Sequence, residues 1–246
     1  DKSLGTDFLL MPPSLVLGGG NVGANQGLLD SIRSVEGVEV ATSLRLATSQ
    51  ADGSTLQIIG LEPSVYSQIA GLDFSKGKPD EAFKALDNGK SIIINGVFAT
   101  DTGAQVGDQI SLLTPHGEKV YTVSGIAFDY LNAKISTGYI SQKNLLVDFD
   151  SDSDILIMVN QIPEADTAKV TAALKDISKN YPAFSLIDSN EFKKQQMDLF
   201  QSLMSVFYVM VFMMAIPGLI AMANTMSINV VERTREIGLL RAVGAS

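Results

Sequence analysis

Four places in this 246-residue sequence bring together residue types that could bind a phosphate or a metal, or activate a nucleophile. Gly18, Gly20 and Gly23 satisfy G-x-G-x-x-G, whose glycines let a pyrophosphate approach a helix N-terminus. That use needs a clean strand before the loop and an acidic residue about 20 positions on to hold the ribose. Pro12 and Pro13 crowd the strand, and the next strand offers Arg45 instead, so the run reads as a flexible glycine loop. Residues 71–78 (GLDFSKGK) look like a phosphate loop, but the spacing is one residue too long and Pro79 stands where the magnesium-binding hydroxyl belongs. Asp148, Asp150, Asp152 and Asp154 alternate like a calcium loop, yet Ser153 replaces the turn glycine and no glutamate stands twelfth; a solvated acidic turn is expected. His116, the only histidine, lies between Pro115 and Gly117 in a hairpin-turn sequence, and a chain with no cysteine gives it no zinc-site companions. The sequence therefore offers no catalytic residue, no cofactor site and no metal site.

Charge and composition narrow the remaining classes. Formal net charge is -9 with a pI near 4.6, which argues against nucleic acid, because neutralising phosphates needs a basic surface. The charged fraction of 18% falls below the roughly 25% of an ordinary soluble protein. Residues 1–198 carry 25 acidic and 15 basic side chains, whereas residues 199–231 carry none. Within that run, residues 203–223 (LMSVFYVMVFMMAIPGLIAMA) are interrupted only by Ser205, Pro217 and Gly218. At about 1.5 Å per residue they reach roughly 30 Å, a bilayer's hydrocarbon thickness, and they are apolar on every side, unlike a soluble core helix. A transmembrane helix is expected. Pro217 and Gly218 would kink it, and Ala215, Gly218 and Ala221, every third residue, could let a second helix approach closely. Seven of the nine methionines fall between Met197 and Met226, where flexible packing explains them.

Beyond the span come Glu232, Arg233, Arg235, Glu236 and Arg241. Arginines on this side and an acidic domain on the other assign the tail to the cytoplasm and residues 1–198 to the outside. Ile228, Val231, Ile237, Leu240 and Val243 recur at approximately helical spacing, so an interfacial amphipathic helix is expected. A plain stop-transfer flank would need arginines alone; mixed Glu and Arg with Gly238 and Gly244 favour a docking segment. The chain begins at Asp1 without a start methionine, basic region or apolar leader, and is read as an excerpt of a longer protein.

The elements that must position these segments follow from periodicity and turn residues. Strands are expected at 7–10, 38–47, 54–61, 91–95, 108–113, 119–127, 136–141, 155–160 and 183–188, and helices at 26–34, 81–86 and 163–179. Ser189 or Asn190 would cap a helix running into the span. The fold class is α+β: a β-α-β subdomain from residues 1–49 and 151–190, an inserted β-rich subdomain at 50–150, a stalk and transmembrane helix at 191–224, and a cytoplasmic helix at 225–246.

The tail NTMSINVVERTREIGLLRAVGAS (residues 224–246) closely resembles the segment after the second transmembrane helix of MacB/FtsX-type ABC transporter permeases, a group that includes LolC/LolE-like proteins. The matching residues are Asn224, Glu232, Arg233, Arg235, Glu236, Ile237, Gly238, Arg241, Ala242, Gly244 and Ala245. A weaker resemblance covers residues 90–128, including Gly107, Asp108 and Gly125, and looks like the family's extracytoplasmic core. The resemblance implies a porter-like subdomain with a sabre-like insertion in a bacterial cell membrane. It implies a non-catalytic permease subunit that transmits ATP-driven motion to its outer domain (mechanotransmission). The partners implied are an ABC ATP-binding subunit docked on Glu232, Arg233, Arg235, Glu236, Gly238, Arg241 and Gly244, a second permease copy or paralogue, and an extracytoplasmic accessory protein. Two other readings stay open: a single-span sensor with an outer ligand-binding domain, and a soluble nucleotide-binding enzyme.

Overall fold

The computed structural model describes residues 6–12, 23, 26–128, 135–242 and 244. The chain divides into two units, Asp1–Glu191 and Phe192–Ser246. Most of the glycine-loop motif, including Gly18 and Gly20, lies outside the described residues.

In the first unit, β1 (Phe8–Met11) and β9 (Asp154–Gln161) are nearly continuous buried runs, the pattern of strands covered on both faces. β1 pairs antiparallel with both β9 and β10 (Ser185–Asp188), and β9 pairs antiparallel with β2 (Val38–Ala51). The two β-α-β passes read from the sequence are thus interleaved. The strands flanking α1 (Gln26–Arg33) enclose β9, and those flanking α6 (Thr167–Lys179) enclose β1, which is the split β-α-β arrangement. Leu28, Leu29 and Ile32 of α1 and Val170 and Leu174 of α6 close one core over Phe8, Leu10, Ile157 and Val159. Asp166 caps α6 by accepting from the Ala168 and Lys169 N–H groups, so the helix starts later than Pro163.

Between β2 and β9 the chain builds the other half of the same sheet. β2 turns through Asp52-Gly53 into β3 (Ser54–Leu61), and beyond it lie β8 (Thr137–Ser141), β5 (Ser91–Asn95), β7 (Gly117–Phe128) and β4 (Asp73–Lys76), with β6 (Gln109–Thr114) hairpinned to β7. A second core of Leu56, Ile58, Ile92, Ile94, Phe98, Tyr121 and Leu145 sits here. A Cβ on Gly125 would stand 2.6 Å from the Phe74 ring, so only glycine lets β4 close on β7.

Four short helices accompany these strands: α2 (Pro63–Ile69), α3 (Pro79–Asn88), α4 (Gly96–Thr102) and α5 (Gln142–Phe149). Of these only α3 is expected from the sequence. The others are a turn or two long, too short for periodicity to show, and are held by their ends. Asn95 accepts from the Phe98 N–H and Ser141 from the Asn144 N–H, while Pro63 opens α2. The phosphate-loop look-alike resolves into β4, the Gly77 turn and Pro79 at the start of α3.

The second unit is helical. Helix α7 (Ser189–Ala242) runs 54 residues, and the stretch Met197–Ala242 is long and apolar enough to cross a membrane, with none of it buried. Pro217 lies inside it, removing one backbone donor without ending it. Ser205, Thr225 and Thr234 donate to the carbonyls of Gln201, Ala221 and Val230 four residues back, satisfying hydroxyls that an apolar surrounding would otherwise leave unpaired. The expected span and tail share this helix, because nothing between Asn224 and Val231 breaks it.

Candidate functional site

No sequence-predicted site residue belongs to a catalytic constellation among the described residues, and no group of three or more His, Asp or Glu there could hold a metal ion. Ala215, Pro217, Gly218 and Ala221 lie exposed in the apolar half of α7, and a Cβ placed on Gly218 would meet nothing within 4 Å beyond its own stretch of helix. Glu232, Arg233, Arg235, Glu236, Gly238 and Arg241 lie exposed in its last three turns. At about 100° per residue, Glu232 and Glu236 project on one side with Arg235 beside them, while Arg233 and Arg241 point elsewhere. Ile228, Val231, Ile237 and Leu240 interleave with these charges around the circumference, so the one-sided amphipathic face expected from the sequence does not form, because their spacing departs from the helical period. Gly244 takes a left-handed backbone (φ 86) and its N–H donates to the Arg241 carbonyl, closing the helix end.

The acidic alternation is only in part the solvated turn expected from the sequence: Asp150 and Asp152 are exposed, but Asp148 and Asp154 are buried. Asp148 is buried, its carboxylate accepting two hydrogen bonds from Lys90 Nζ (2.9 and 2.8 Å) and one from the Tyr121 hydroxyl (2.6 Å). Burial pushes the Asp148 carboxyl up, but hydrogen bonds from Lys90 and Tyr121 and the charges of Lys90 and Lys119 outweigh it and hold the group below the ordinary carboxylate value. Burial first, then the hydrogen bond to and charge of Asp148, push the Tyr121 phenol well above its ordinary value. Asp150 ends α5, and its Oδ1 lies 3.0 Å from His116 Nε2 at the tip of the β6–β7 hairpin. Asp154 is buried at the start of β9, where Oδ1 accepts from Arg45 Nε (2.7 Å) and Ser43 Oγ (2.8 Å). Gln142 Nε2 donates to the Ser43 carbonyl (2.7 Å) and hydroxyl (3.0 Å). Arg45, the one charged residue between positions 40 and 51, was a sequence signal for this cluster, but its partner lies 109 residues away.

A half-open groove of about 460 Å3 lies between α2 and α3, with Ile69, Leu72 and Phe83 in its lining and Asp80 as its only charged residue.

The chain matches the family model of the MacB-like periplasmic core domain over residues 2–177 and that of the FtsX-like permease C-terminal region over residues 184–246. It belongs to the MacB/FtsX-type ABC transporter permeases. Among solved structures, the periplasmic region of MacB from Actinobacillus actinomycetemcomitans is similar at 11% identity and a TM-score of 0.57, covering 78% of this chain and 94% of that one. The extracellular domain of the noncanonic ABC-type transporter YknZ from Gram-positive bacteria is similar at 14% identity and a TM-score of 0.51, covering 74% of this chain and 99% of that one. At these identities the likeness speaks for the fold. No curated protein matches the sequence. Membership makes the chain a permease component of a membrane-associated ABC transporter with an extracytoplasmic domain, in a family that is generally non-catalytic and implies an ATP-binding partner. It favours the permease reading over the single-span sensor and the soluble enzyme.

Proposed function

We propose that this chain is the part of an ABC permease that carries nucleotide-driven motion of a separate ATP-binding subunit to an extracytoplasmic domain. Residues 1–198 lie outside, and residues 225–246 meet the ATPase in the cytoplasm. The observation that carries the reading is the uninterrupted helix Ser189–Ala242, which joins an uncharged segment of bilayer length to a tail of mixed charge. On this view displacement of the charged end is passed along the continuous helix, with Pro217, which removes one backbone hydrogen bond, as the place where it can bend. In this reading Glu232, Arg233, Arg235, Glu236, Gly238, Arg241 and Gly244 form the docking surface, and Ala215, Gly218 and Ala221 with Pro217 face neighbouring helices of the permease. Divided subdomains, 1–49 with 151–190 and the insertion 50–150, are the moving parts outside.

Docking is tested by Glu236→Lys, which reverses a charge on an exposed tail position. The variant is expected to lose copurification of the ATP-binding subunit while keeping membrane integration, and intact copurification refutes the docking role. Transmission is tested by inserting two glycines after Lys194. ATP hydrolysis and assembly are expected to persist while external work is lost, and unchanged transport counts against a transmitting helix.

A further inference from the structure

The ten-stranded sheet is continuous, but its two halves meet along β2 in an unusual way. β2 pairs with β9 from Val38 to Arg45 and with β3 from Arg45 to Ala51. Arg45 is therefore the one residue of β2 with a strand neighbour on both sides. By contrast, β3 is flanked on both sides over four residues, Gln57 to Gly60. The β2–β9 register also shifts between Leu44 and Arg45, the mark of a local irregularity that bends a strand. The two hydrophobic cores stop short of this point: on β2 one includes Ala41 and the other Ala51, with Ala47 packed against it.

Apart from Leu44 and the partly buried Leu46, what fills the gap on β2 is polar and buried. Thr42, Ser43 and Arg45 are at most 2% exposed, and the Ser43–Arg45–Asp154–Gln142 cluster lies across the place where the chain returns from the inserted half into β9. A second bridge spans the same divide at the surface. Arg33 on α1 donates from Nη2 to both carboxylate oxygens of Glu62, at 2.9 Å each, and from Nε to the Ala41 carbonyl. A buried ion pair contributes little net stability compared with apolar residues of the same volume. The bonds from Arg45 Nε and Ser43 Oγ to Asp154 Oδ1 are made only in this geometry, while Arg45 Nη2 and Asp154 Oδ2 stay buried without a hydrogen-bond partner, so water that reaches the pair when the geometry is lost solvates both. Such a group holds one arrangement firmly and lets the alternative be reached without a large apolar penalty, which is how a two-position joint behaves.

We propose that β2 at Leu44–Arg45 is a hinge on which the two halves of the extracytoplasmic domain change their mutual angle, with the Ser43–Arg45–Asp154–Gln142 cluster as its latch. The proposal is independent of the docking and transmission readings above and can fail while they stand. The hinge lets one continuous sheet reshape with only the Arg45–Asp154 end of the β2–β9 ladder unpairing. Opening frees the Asp154 end of β9 and the first turn of α5, where Gln142 sits, and leaves each core intact.

The chain contains no cysteine, so two can be introduced for spin labels, Lys84→Cys on α3 and Lys175→Cys on α6, both exposed. Distances between the labels are measured in the full chain in lipid nanodiscs, with hydrogen exchange read in parallel, for the latch as it stands, for Asp154→Asn and for the milder Ser43→Ala. A single narrow distance is expected with the intact latch, and a broadened or second distance in both latch variants. Amide exchange near Arg45 and residues 154–156 should rise about tenfold, while Ile157–Val159 and Ile92–Ile94 stay within about twofold. Unchanged distances overturn the hinge, and so does loss of protection spread equally through both cores. If Asp154→Asn does not fold, Ser43→Ala alone decides between these outcomes.

Discussion

The Asp148 network gives a prediction whose sign changes with background. Tyr121 is fully buried and donates to Asp148, while Lys90, whose side chain is 43% exposed, donates to both carboxylate oxygens. Asp148→Ala strands the phenol without an acceptor, which costs about 2 kcal/mol, and releases a half-solvated ammonium, worth about 1 kcal/mol. The total of about 3 kcal/mol corresponds to a fall in melting temperature of roughly 9 °C for a unit of this size. Tyr121→Phe alone loses one hydrogen bond to a charged acceptor, about 1.5 kcal/mol. Made on top of Asp148→Ala, the same change removes an orphaned hydroxyl and is expected to be neutral or stabilising. Calorimetry of the four proteins in detergent measures the coupling energy directly. If Tyr121→Phe costs the same in both backgrounds, the two side chains do not act together and the reasoning fails.

Three further outcomes follow from the same geometry. Because the folded Asp148 carboxyl titrates below the ordinary aspartate value of 3.8, its stabilisation is complete well above that pH and is lost as pH falls through the lowered folded value. Urea midpoints of the wild type should therefore drop more steeply below about pH 4 than those of Asp148→Asn; parallel acid limbs would contradict this. Phe98 is fully buried, so Phe98→Ala should cost about 4 kcal/mol and loosen α4, where faster exchange at residues 96–102 is the readout. Replacing Met214 and Ile220 together by arginine should cost about 6 kcal/mol of membrane insertion and lower the integrated fraction in a glycosylation-reporter assay. An integrated fraction equal to that of a double leucine variant would place this stretch of α7 outside lipid.

The family and the membrane segment were legible without coordinates because both rest on local signals. An uncharged run of 33 residues has few ways to be stable, and the Glu/Arg/Gly pattern of residues 232–245 is contiguous. Strands with strong apolar runs, such as Ser54–Leu61 and Ser91–Asn95, were also visible, since a run of β-branched residues between turn signals has a period and bounds. Helices α2, α4 and α5 were not, because each has at most eight residues and is stabilised by a cap or by the sheet it covers rather than by its own pattern.

Sequence alone thus determined which segment is long and apolar enough to cross a membrane and which tail resembles the family's segment after its second span, because hydropathy and charge act residue by residue along the chain. Tertiary structure decided that the β-α-β passes interleave and that alternate aspartates separate into two buried anchors and two exposed turn residues. It also decided that Arg45 meets Asp154 across 109 positions of sequence. Those outcomes depend on which strands become neighbours, and that choice is made by the packing of distant apolar surfaces, which no local pattern encodes.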